Sequence, residues 1–492
     1  MLSLIRSLKN TFAPINKVPA DALTLIPDYW EDTTRDQNLI TLTHVCRGWR
    51  EIFTSRPSLW ARLDCANVEK TRVYIERSRS FPLAVQLDDD GDVTCWEEAF
   101  LLVAPHISRL KTLFVTSSST QIIPALVKNF SCRLPLLDDL DIEIGSGEYP
   151  SLPDGLFDGD LSSLRELSFA GVLAYLPWKG MSNLTKFNLC DVPDDEAVLT
   201  QLLNFFESAP RVRHIHLRDS IPSSSDVPAK RVVSLPQLET LEIIAQPAHS
   251  ILLNHLSIPA GASLTLEFPF SGSESPLPSY LPKSFGDLSN LSHITAVSLC
   301  LGSKQRFLRL GGPSGELYVL GNWSRGNDSS SAGSSPFLRS LSRFNLSRSR
   351  RLAIQWCNIA APTTRSITKS SVYQTLHSAK DLHALTLVQC NNIVFILTLN
   401  PNKNPSRTVL CPSLQEITLY IKGPDDLHVD ELLRMAEGRA SRDAKLSVIT
   451  IISTGPLAPP KNVFQLREHV SRVECKFDDA PPRWDSHHAQ AM

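Results

Sequence analysis

The sequence has no closely paired cysteines. Its ten cysteines are scattered over 492 residues, with no CxxC and no dense cluster. Disulfide-stabilised secreted domains and structural zinc sites need cysteines at short, regular spacings, so neither is predicted. We therefore expect reduced thiols, as in the cytoplasm or the nucleus, and no metal centre.

Long apolar runs and an excess of one charge are also missing. No stretch approaches the roughly 20 apolar residues that a membrane-spanning helix needs. The weakly amphipathic residues 1–12 (MLSLIRSLKNTF) are too broken for a secretory signal, and a mitochondrial presequence is the less favoured alternative. A net charge of −2 gives no general attraction to nucleic acid or anionic membranes. These features predict a soluble protein of the cytoplasm and/or nucleus, without nucleic-acid or membrane partners.

Signatures of catalysis are absent as well. There is no GxSxG, no Walker loop, no HExxH and no GxGxxG. His214 and His216 would share one face of a strand, but no third metal ligand is indicated. The acidic turn 88–92 fits some calcium-loop positions, yet a strand precedes it, which favours an exposed loop near a helix N-terminus. We therefore expect no enzymatic activity, no metal and no cofactor.

Residues 15–63 carry a helical apolar pattern. A short helix is predicted after Pro19, and Pro27 ends or kinks it. Apolar residues at 39, 42, 45, 46 and 49 have helical spacing, and the same helix is predicted to continue through Ile52. A turn at 56–58 precedes Leu59 and Trp60. A unit of about 45 residues is too small to bury a sufficient hydrophobic core alone. We therefore expect it to expose an apolar face that binds another protein.

This segment resembles an F-box, in the form found in many fungal F-box proteins. Residues 42–50 (LTHVCRGWR) follow the family pattern Leu-x-x-Val-Cys-Arg-x-Trp-Arg, and residues 57–60 (PSLW) follow Pro-x-Leu-Trp. Residues 18–21 (VPAD) stand where the family has a Leu-Pro-Pro-Glu-like opening and differ at three positions. The resemblance implies docking on a Skp-type adaptor, which links the protein to a cullin-RING ubiquitin ligase core. The residues expected to bind the adaptor are Val18, Pro19, Leu23, Leu42, Val45, Cys46 and Trp49. The alternative is that they only pack this head against the rest of the chain.

A leucine pattern, L-x-x-L-x-L, recurs beyond residue 107. Successive copies begin about 20–32 residues apart where the pattern is unbroken, which is near the period of leucine-rich repeats. Between residues 238 and 382, partial copies are marked by Leu264/Leu266, Leu317/Val319 and Leu352/Ile354. The full copies begin at Leu110, Leu137, Leu164, Leu184, Val212, Leu238, Ile294, Leu382, Leu414 and Leu446.

Each repeat would contribute one short strand and one return segment, and stacked repeats would form a solenoid with a parallel concave sheet. An ordinary α/β sheet domain is the less favoured alternative. Cys357-Asn358 and Cys390-Asn391 occupy the asparagine/cysteine position of two repeats, so these cysteines are interpreted as structural. Helical return segments are predicted at 196–208 and 430–440.

The residue between the last two apolar positions of each repeat should face outward on the concave sheet. This mixed, mostly uncharged row is expected to bind a protein target. The predicted target-binding residues are Asp141, Ser168, Asn188, His216, Glu242, Thr386 and Thr418, and Ser298, Ala353 and Thr450 belong to the same row.

The predicted fold class is α/β, with a short all-α head followed by a leucine-rich-repeat solenoid. The predicted segments are a tail (1–14), the F-box-like head (15–63), a connecting segment and N-terminal cap (64–106), the solenoid (107–477) and a disordered tail (478–492). The predicted function is that of a substrate-recognition subunit of a Skp-cullin-F-box ubiquitin ligase. The alternative is a leucine-rich-repeat scaffold without a ligase role.

Overall fold

A computed structural model describes most of the chain. Several predicted features lie outside the described residues: the tail through residue 11, residues 90–92 of the acidic turn, Asn358, Asn391 and the tail from residue 479 to 492. The described residues are 12–30, 32–89, 93–152, 156–159, 161–172, 181–192, 196–221, 228, 231–244, 249–270, 281, 288–302, 305–323, 338, 341, 344–357, 368–390, 392–404, 408–422, 424–453 and 461–478.

The chain forms two compact units, residues 1–193 (unit 1) and 194–492 (unit 2). This division falls inside the predicted solenoid rather than at the end of the head. The fold is mixed α/β, and in each unit most strand pairs are parallel, as the fold class predicts. No described helix combines the length and apolar character needed to cross a membrane.

The head is helical, as predicted, but the long helix is interrupted. It comprises α1 (Ala20–Leu23), α2 (Asp32–Val45) and α3 (Arg47–Thr54), with 3-10 turns at Pro14–Lys17, Ile26–Tyr29 and Pro57–Trp60. The prediction of one helix through Ile52 is wrong, because Cys46 adopts an extended conformation (φ −159°, ψ 172°). Arg50 Nε donates to the Thr43 carbonyl at 2.9 Å and satisfies an acceptor near the end of α2.

The rest of unit 1 alternates parallel strands with helical connections. Each strand pairs in parallel with the next one along the chain, from β1 to β6. The elements are β1 (Arg62–Asp64), α4 (Val68–Ser78), β2 (Leu83–Asp89), α5 (Val93–Val103), a 3-10 turn (Ala104–Arg109), β3 (Leu110–Ser117), α6 (Ile122–Phe130), β4 (Asp139–Ile144), a 3-10 turn (Leu156–Gly159), β5 (Glu166–Ala170) and β6 (Lys186–Cys190).

Unit 2 begins with α7 (Glu196–Ser208), at the predicted bounds. Its first half also contains β7 (His214–Arg218), β8 (Val233–Ser234), β9 (Thr240–Ile244), α8 (His249–Leu253), β10 (Leu256–Ser257), β11 (Ser263–Phe270), a 3-10 turn (Ser289–Leu291), β12 (Ala296–Gly302), β13 (Gln305–Gly312) and β14 (Gly315–Trp323). Strands β8 and β10 form a separate parallel pair. Strands β7, β9 and β11 pair in parallel in that order.

The second half of unit 2 returns to regular chain-order pairing. Strands β15 to β19 are parallel, each to the next. The elements are β15 (Arg351–Cys357), α9 (Lys369–Ser378), β16 (Ala384–Val388), α10 (Asn392–Leu399), β17 (Glu416–Ile421), a 3-10 turn (Pro424–Leu427), α11 (Val429–Ala440), β18 (Val448–Ser453), a 3-10 turn (Lys461–Gln465), α12 (Leu466–His469) and β19 (Arg472–Phe477).

An antiparallel hairpin interrupts the parallel order of unit 2. Strand β13 is antiparallel to both β12 and β14, while β14 runs parallel to β11 and β12 runs parallel to β15. The expectation of a purely parallel sheet is therefore wrong at β13, and Leu317 and Val319 belong to the hairpin. Residues 312–315 (GPSG) form its tight turn, in which Gly315 has a φ of 118° that other residues rarely adopt.

Burial alternates along the strands and defines two faces. In β4, Leu140, Ile142 and Ile144 are buried, whereas Asp139 and Asp141 are half-buried and Glu143 is exposed. The same alternation recurs in β16, where Leu385 and Leu387 lie in the core. In these strands one face thus supplies the interior, and the other supplies the candidate binding surface.

Candidate protein-interaction surfaces

Two of the seven predicted adaptor-binding residues lie inside the head. Leu23 is 2% exposed and Trp49 is 8% exposed. The indole Nε1 of Trp49 donates to Asn16 Oδ1 at 2.6 Å, and its ring lies 5.8 Å from the ring of the fully buried Phe53. These side chains stabilise the head itself, because little of their surface remains for a partner.

The other five predicted residues reach the surface to different extents. Val45, the last residue of α2, is 52% exposed, and Pro19 is also exposed. Val18, Leu42 and Cys46 are half-buried. Val45 therefore presents the most accessible large apolar side chain of the F-box-like motif.

Four further apolar side chains, one in the predicted tail and three in the head, are exposed, and sequence reasoning did not select them. An apolar helical pattern identifies such residues, but it does not separate those that face the interior from those that face solvent. They are Phe12 (76% exposed), Ile15 (47%), Leu25 (55%) and Tyr29 (86%). Together with Val45, these residues give the segment 12–45 five exposed apolar side chains. Exposed apolar surface of this kind is typical of a protein–protein interaction site.

The PSLW segment has a structural role. Trp60 is fully buried, and its Nε1 donates to the Phe53 carbonyl at 2.9 Å. The ring of Tyr74 packs edge-on at 4.9 Å, and the Arg77 guanidinium lies 4.3 Å from the centre of the Trp60 ring. Trp60 thus joins α3 to α4.

Lys70 of α4 links helix α2 and strand β1 electrostatically. Its ammonium group forms ion pairs with Asp36 of α2 and with Asp64 of β1, the latter at 2.9 Å. Burial acts to lower the pKa of Lys70, but its hydrogen bonds to Asp36 and Asp64 raise the pKa above its usual value. The head is therefore fixed to the first strand of unit 1 by charge as well as by packing.

In unit 1, the predicted target-binding residues form one row. Asp141, Ser168 and Asn188 are direct neighbours on β4, β5 and β6, and all three are half-buried. The row continues through Phe114 on β3 and Gln86 on β2. Neither of these two residues was selected from the sequence, although both hold the same position in their strands.

An acidic stripe crosses this face along β4. Asp139, Asp141 and Glu143 alternate with buried residues, so their side chains share the outer face, and Glu166 is the neighbour of Asp139 on β5. Burial, then the charges of Glu166 and Asp141, raise the pKa of Asp139 to about 6. Burial also raises the pKa of Asp141. The alternation D-L-D-I-E-I was visible in the sequence, but only Asp141 was selected.

In unit 2, the corresponding row begins with His216 and Glu242. These two are neighbours on β7 and β9, with His216 Nδ1 and Glu242 Oε2 3.0 Å apart. His214, on the same face, has Nδ1 2.9 Å from Thr240 Oγ1. No group of three metal-binding side chains occurs among the residues that the structure describes.

Beyond the hairpin, the row of unit 2 becomes a ladder of threonines. Ala353 is followed by Thr386, Thr418 and Thr450 on successive parallel strands, and the ladder ends at Glu474 of β19. The hairpin places Arg309 and Tyr318 between Thr265 and Ser298 in the same row. Sequence reasoning missed these two residues because it treated the hairpin as ordinary repeats.

Two polar side chains of unit 2 form hydrogen bonds with backbone carbonyls that are distant in the sequence. Cys390 Sγ lies 3.2 Å from the Ile354 carbonyl and 3.4 Å from the Val388 carbonyl, which agrees with a structural cysteine. Arg439 is fully buried and donates to the carbonyls of Leu410 and Cys411 at 2.8 and 2.9 Å. Burial lowers the pKa of Arg439 to about 10. Both side chains therefore hold segments of the backbone together within unit 2.

No protein-family model matches the chain, and no curated protein matches its sequence.

Proposed function

We propose that the protein is a substrate-recognition subunit of a Skp-cullin-F-box ubiquitin ligase. Its head would bind the Skp-type adaptor, and its repeats would hold a protein target. Ubiquitin transfer would occur on other subunits, by bringing the target close to the catalytic machinery.

The exposure of Val45 carries the adaptor half of this proposal. Val45 stands in the middle of the F-box-like motif, at the C-terminal end of α2, with 52% of its surface open to solvent. Leu23 and Trp49 build the interior beneath, so the motif combines a stable scaffold with an apolar outer contact. A small group of apolar residues that lose their water is the usual origin of binding energy at such contacts.

The strand order supports the target-binding half. A doubly wound sheet reverses its strand order at a switch point, whereas strands β1 to β6 and β15 to β19 follow chain order without reversal. One strand per repeat, with a helical or 3-10 connection, is the construction of a leucine-rich-repeat solenoid. The half-buried row on its outer face offers adjacent polar side chains to a protein.

Val45→Asp tests the adaptor contact. We expect this change to weaken co-precipitation of the Skp-type adaptor at least tenfold, because a carboxylate would lose its water in an apolar interface. The matched control is Leu101→Asp, which adds the same charge at a residue of α5 that is 68% exposed. The thermal unfolding of both variants should remain close to that of the parent chain.

Equal adaptor recovery with Val45→Asp and with Leu101→Asp would contradict this proposal. If the unmutated chain also fails to retain the adaptor, the protein is better described as a repeat scaffold without a ligase role. Trp49→Ala is less informative than Val45→Asp, because it removes a buried side chain and destabilises the head.

A further inference from the structure

The last described strand of unit 2, β19, has one side along which no described strand pairs. It pairs with β18, and no other described strand pairs with it. The amides of Arg472 and Asp478 donate to the Ser447 and Ser453 carbonyls at 2.9 and 3.0 Å. Alternate residues of a strand direct their backbone groups to opposite sides, so the amides and carbonyls of Val473, Cys475 and Phe477 face away from β18.

The two faces of β19 differ in chemistry. Val473, Cys475 and Phe477 occupy the side that continues the buried face of β18, yet Cys475 is exposed and Phe477 is 59% exposed. The opposite side carries Arg472, Glu474 and Lys476 in alternating charge. Glu474 forms ion pairs with both neighbours, and Lys476 Nζ lies 2.7 Å from Glu474 Oε2.

We infer that β19 is a homodimer interface, in which a second copy of the chain adds its own β19 antiparallel to the first. The two-fold axis would pass beside Cys475. This interface goes beyond the adaptor and target contacts and depends on neither of them. The unit 2 sheet of one copy would join the unit 2 sheet of the other copy edge to edge.

The direction of the backbone groups limits the possible registers. Only Val473, Cys475 and Phe477 offer free backbone groups, so these residues must face one another across the two strands. The register centred on Cys475 pairs it with its own copy and pairs Val473 with Phe477 twice. All three residues are then used, and about six backbone hydrogen bonds form. Val473 beside Phe477 is also a favourable cross-strand pair.

The charges select the same register. Centring on Cys475 places Glu474 opposite Lys476 of the second copy, twice by symmetry. A shift by one position toward the N-terminus instead places Glu474 opposite Glu474 and Arg472 opposite Lys476, and both pairs repel. A shift toward the C-terminus places Lys476 opposite Lys476. The sequence RVECKF is thus self-complementary on both faces in one central register.

Charge reversal tests this pairing. We expect Lys476→Glu to weaken self-association of the full chain roughly tenfold, because two symmetric attractive pairs become repulsive. The double variant Glu474→Lys/Lys476→Glu should restore association, since opposite charges face each other again. Lys445→Glu, at an exposed residue between α11 and β18, is the matched control. Sedimentation over a range of concentrations measures the dimer, and circular dichroism verifies that each variant is folded.

Thiol cross-linking provides a second, independent measurement. The proposed axis places the two Cys475 side chains opposite each other on one face, so a short bismaleimide should join two unmutated chains. Cys475→Ser should abolish this product, and Lys476→Glu should reduce it about as much as it reduces dimerisation. A chain that remains monomeric at about 100 µM, or a dimer that responds equally to Lys476→Glu and Lys445→Glu, would overturn the inference.

Discussion

Asp139 is the side chain whose charge state is most sensitive to its surroundings on the outer face of unit 1. It lies between Asp141 on its own strand and Glu166 on the next, and Lys186 is the neighbour of Glu166. Lys186 Nζ is 3.1 Å from Glu166 Oε2, and its charge favours ionised Asp139, but burial of Asp139 and the negative charges of Glu166 and Asp141 outweigh this attraction. The free-energy cost of keeping Asp139 charged in the folded state therefore depends on pH.

Asp139→Asn should stabilise the protein near pH 7.5 by about 1 kcal/mol, after allowance for screening of this partly exposed group. The pKa of Asp139 is raised from 3.8 to about 6 by folding. The folded state therefore binds more protons than the unfolded state between these values, and the contribution of Asp139 to stability falls as pH rises through them. Below about pH 4 the advantage of the variant should vanish. Thermal unfolding at both pH values measures this difference.

Asp138→Asn is the control for this effect. Asp138 lies next to Asp139 but faces Lys111 and Arg165, at 3.8 and 3.3 Å, so its charge is compensated. Removing that charge should not stabilise the protein at pH 7.5. A stability gain for Asp139→Asn that is equally large at pH 3.5 would show that the charge of Asp139 is not its cause.

At the scale of single elements, local patterns predicted what depends on local sequence. Helix α7 lies at its predicted bounds, and the predicted helix 430–440 differs from α11 by one residue. The outer-face residues of β4, β5 and β6 lie in the predicted row, because alternation along a strand fixes which side chains share a face. The break at Cys46 was not predicted, since the apolar spacing is helical on both sides of it.

Local sequence patterns could not predict which strands pair with each other. Leu317 and Val319 alternate like the strand residues of a repeat, yet β14 belongs to a hairpin and pairs with β11. Alternation reports burial of one face, and it is the same for parallel and antiparallel neighbours. In the same way, apolar spacing selected Trp49 and Val45 together, although one is buried and the other is exposed.

Gly315→Ala should destabilise the protein by roughly 1–3 kcal/mol. Gly315 has a φ of 118°, and a Cβ atom there would lie 2.4 Å from the Ala262 carbonyl oxygen, so the hairpin turn would have to shift. Gly311→Ala is the matched control, because a Cβ atom at Gly311 would meet nothing within 4 Å. Urea denaturation of both variants measures the difference. Equal midpoints would show that the turn accommodates a side chain.

At the scale of the whole molecule, the position of a strand in its sheet decides how many partners it has. An interior strand pairs on both sides, whereas a strand at the edge pairs on one side. Strand β17 lies between β16 and β18, whereas β19 has only β18 among the described strands. Resistance to local opening should therefore differ along unit 2.

Hydrogen exchange should reveal this gradient. In dilute protein, where self-association is negligible, we expect the amides of Val473, Cys475 and Phe477 to exchange much faster than those of β17. Raising the protein concentration should slow the exchange of these three amides, while exchange of β17 stays constant. Equal protection of β17 and β19 in dilute protein would contradict the open-edge description of β19.

The hairpin of unit 2 also has a consequence for the order in which the chain can fold during synthesis. Strand β11 needs β14 beside it, as in the pair Ser263 and Glu316, but β12 and β13 are made first. At typical translation rates, the partner of β11 leaves the ribosome several seconds after β11 itself, roughly fifty residues later. During that interval, one edge of the nascent sheet stays open. This is the time at which a chaperone would be most useful to the growing chain.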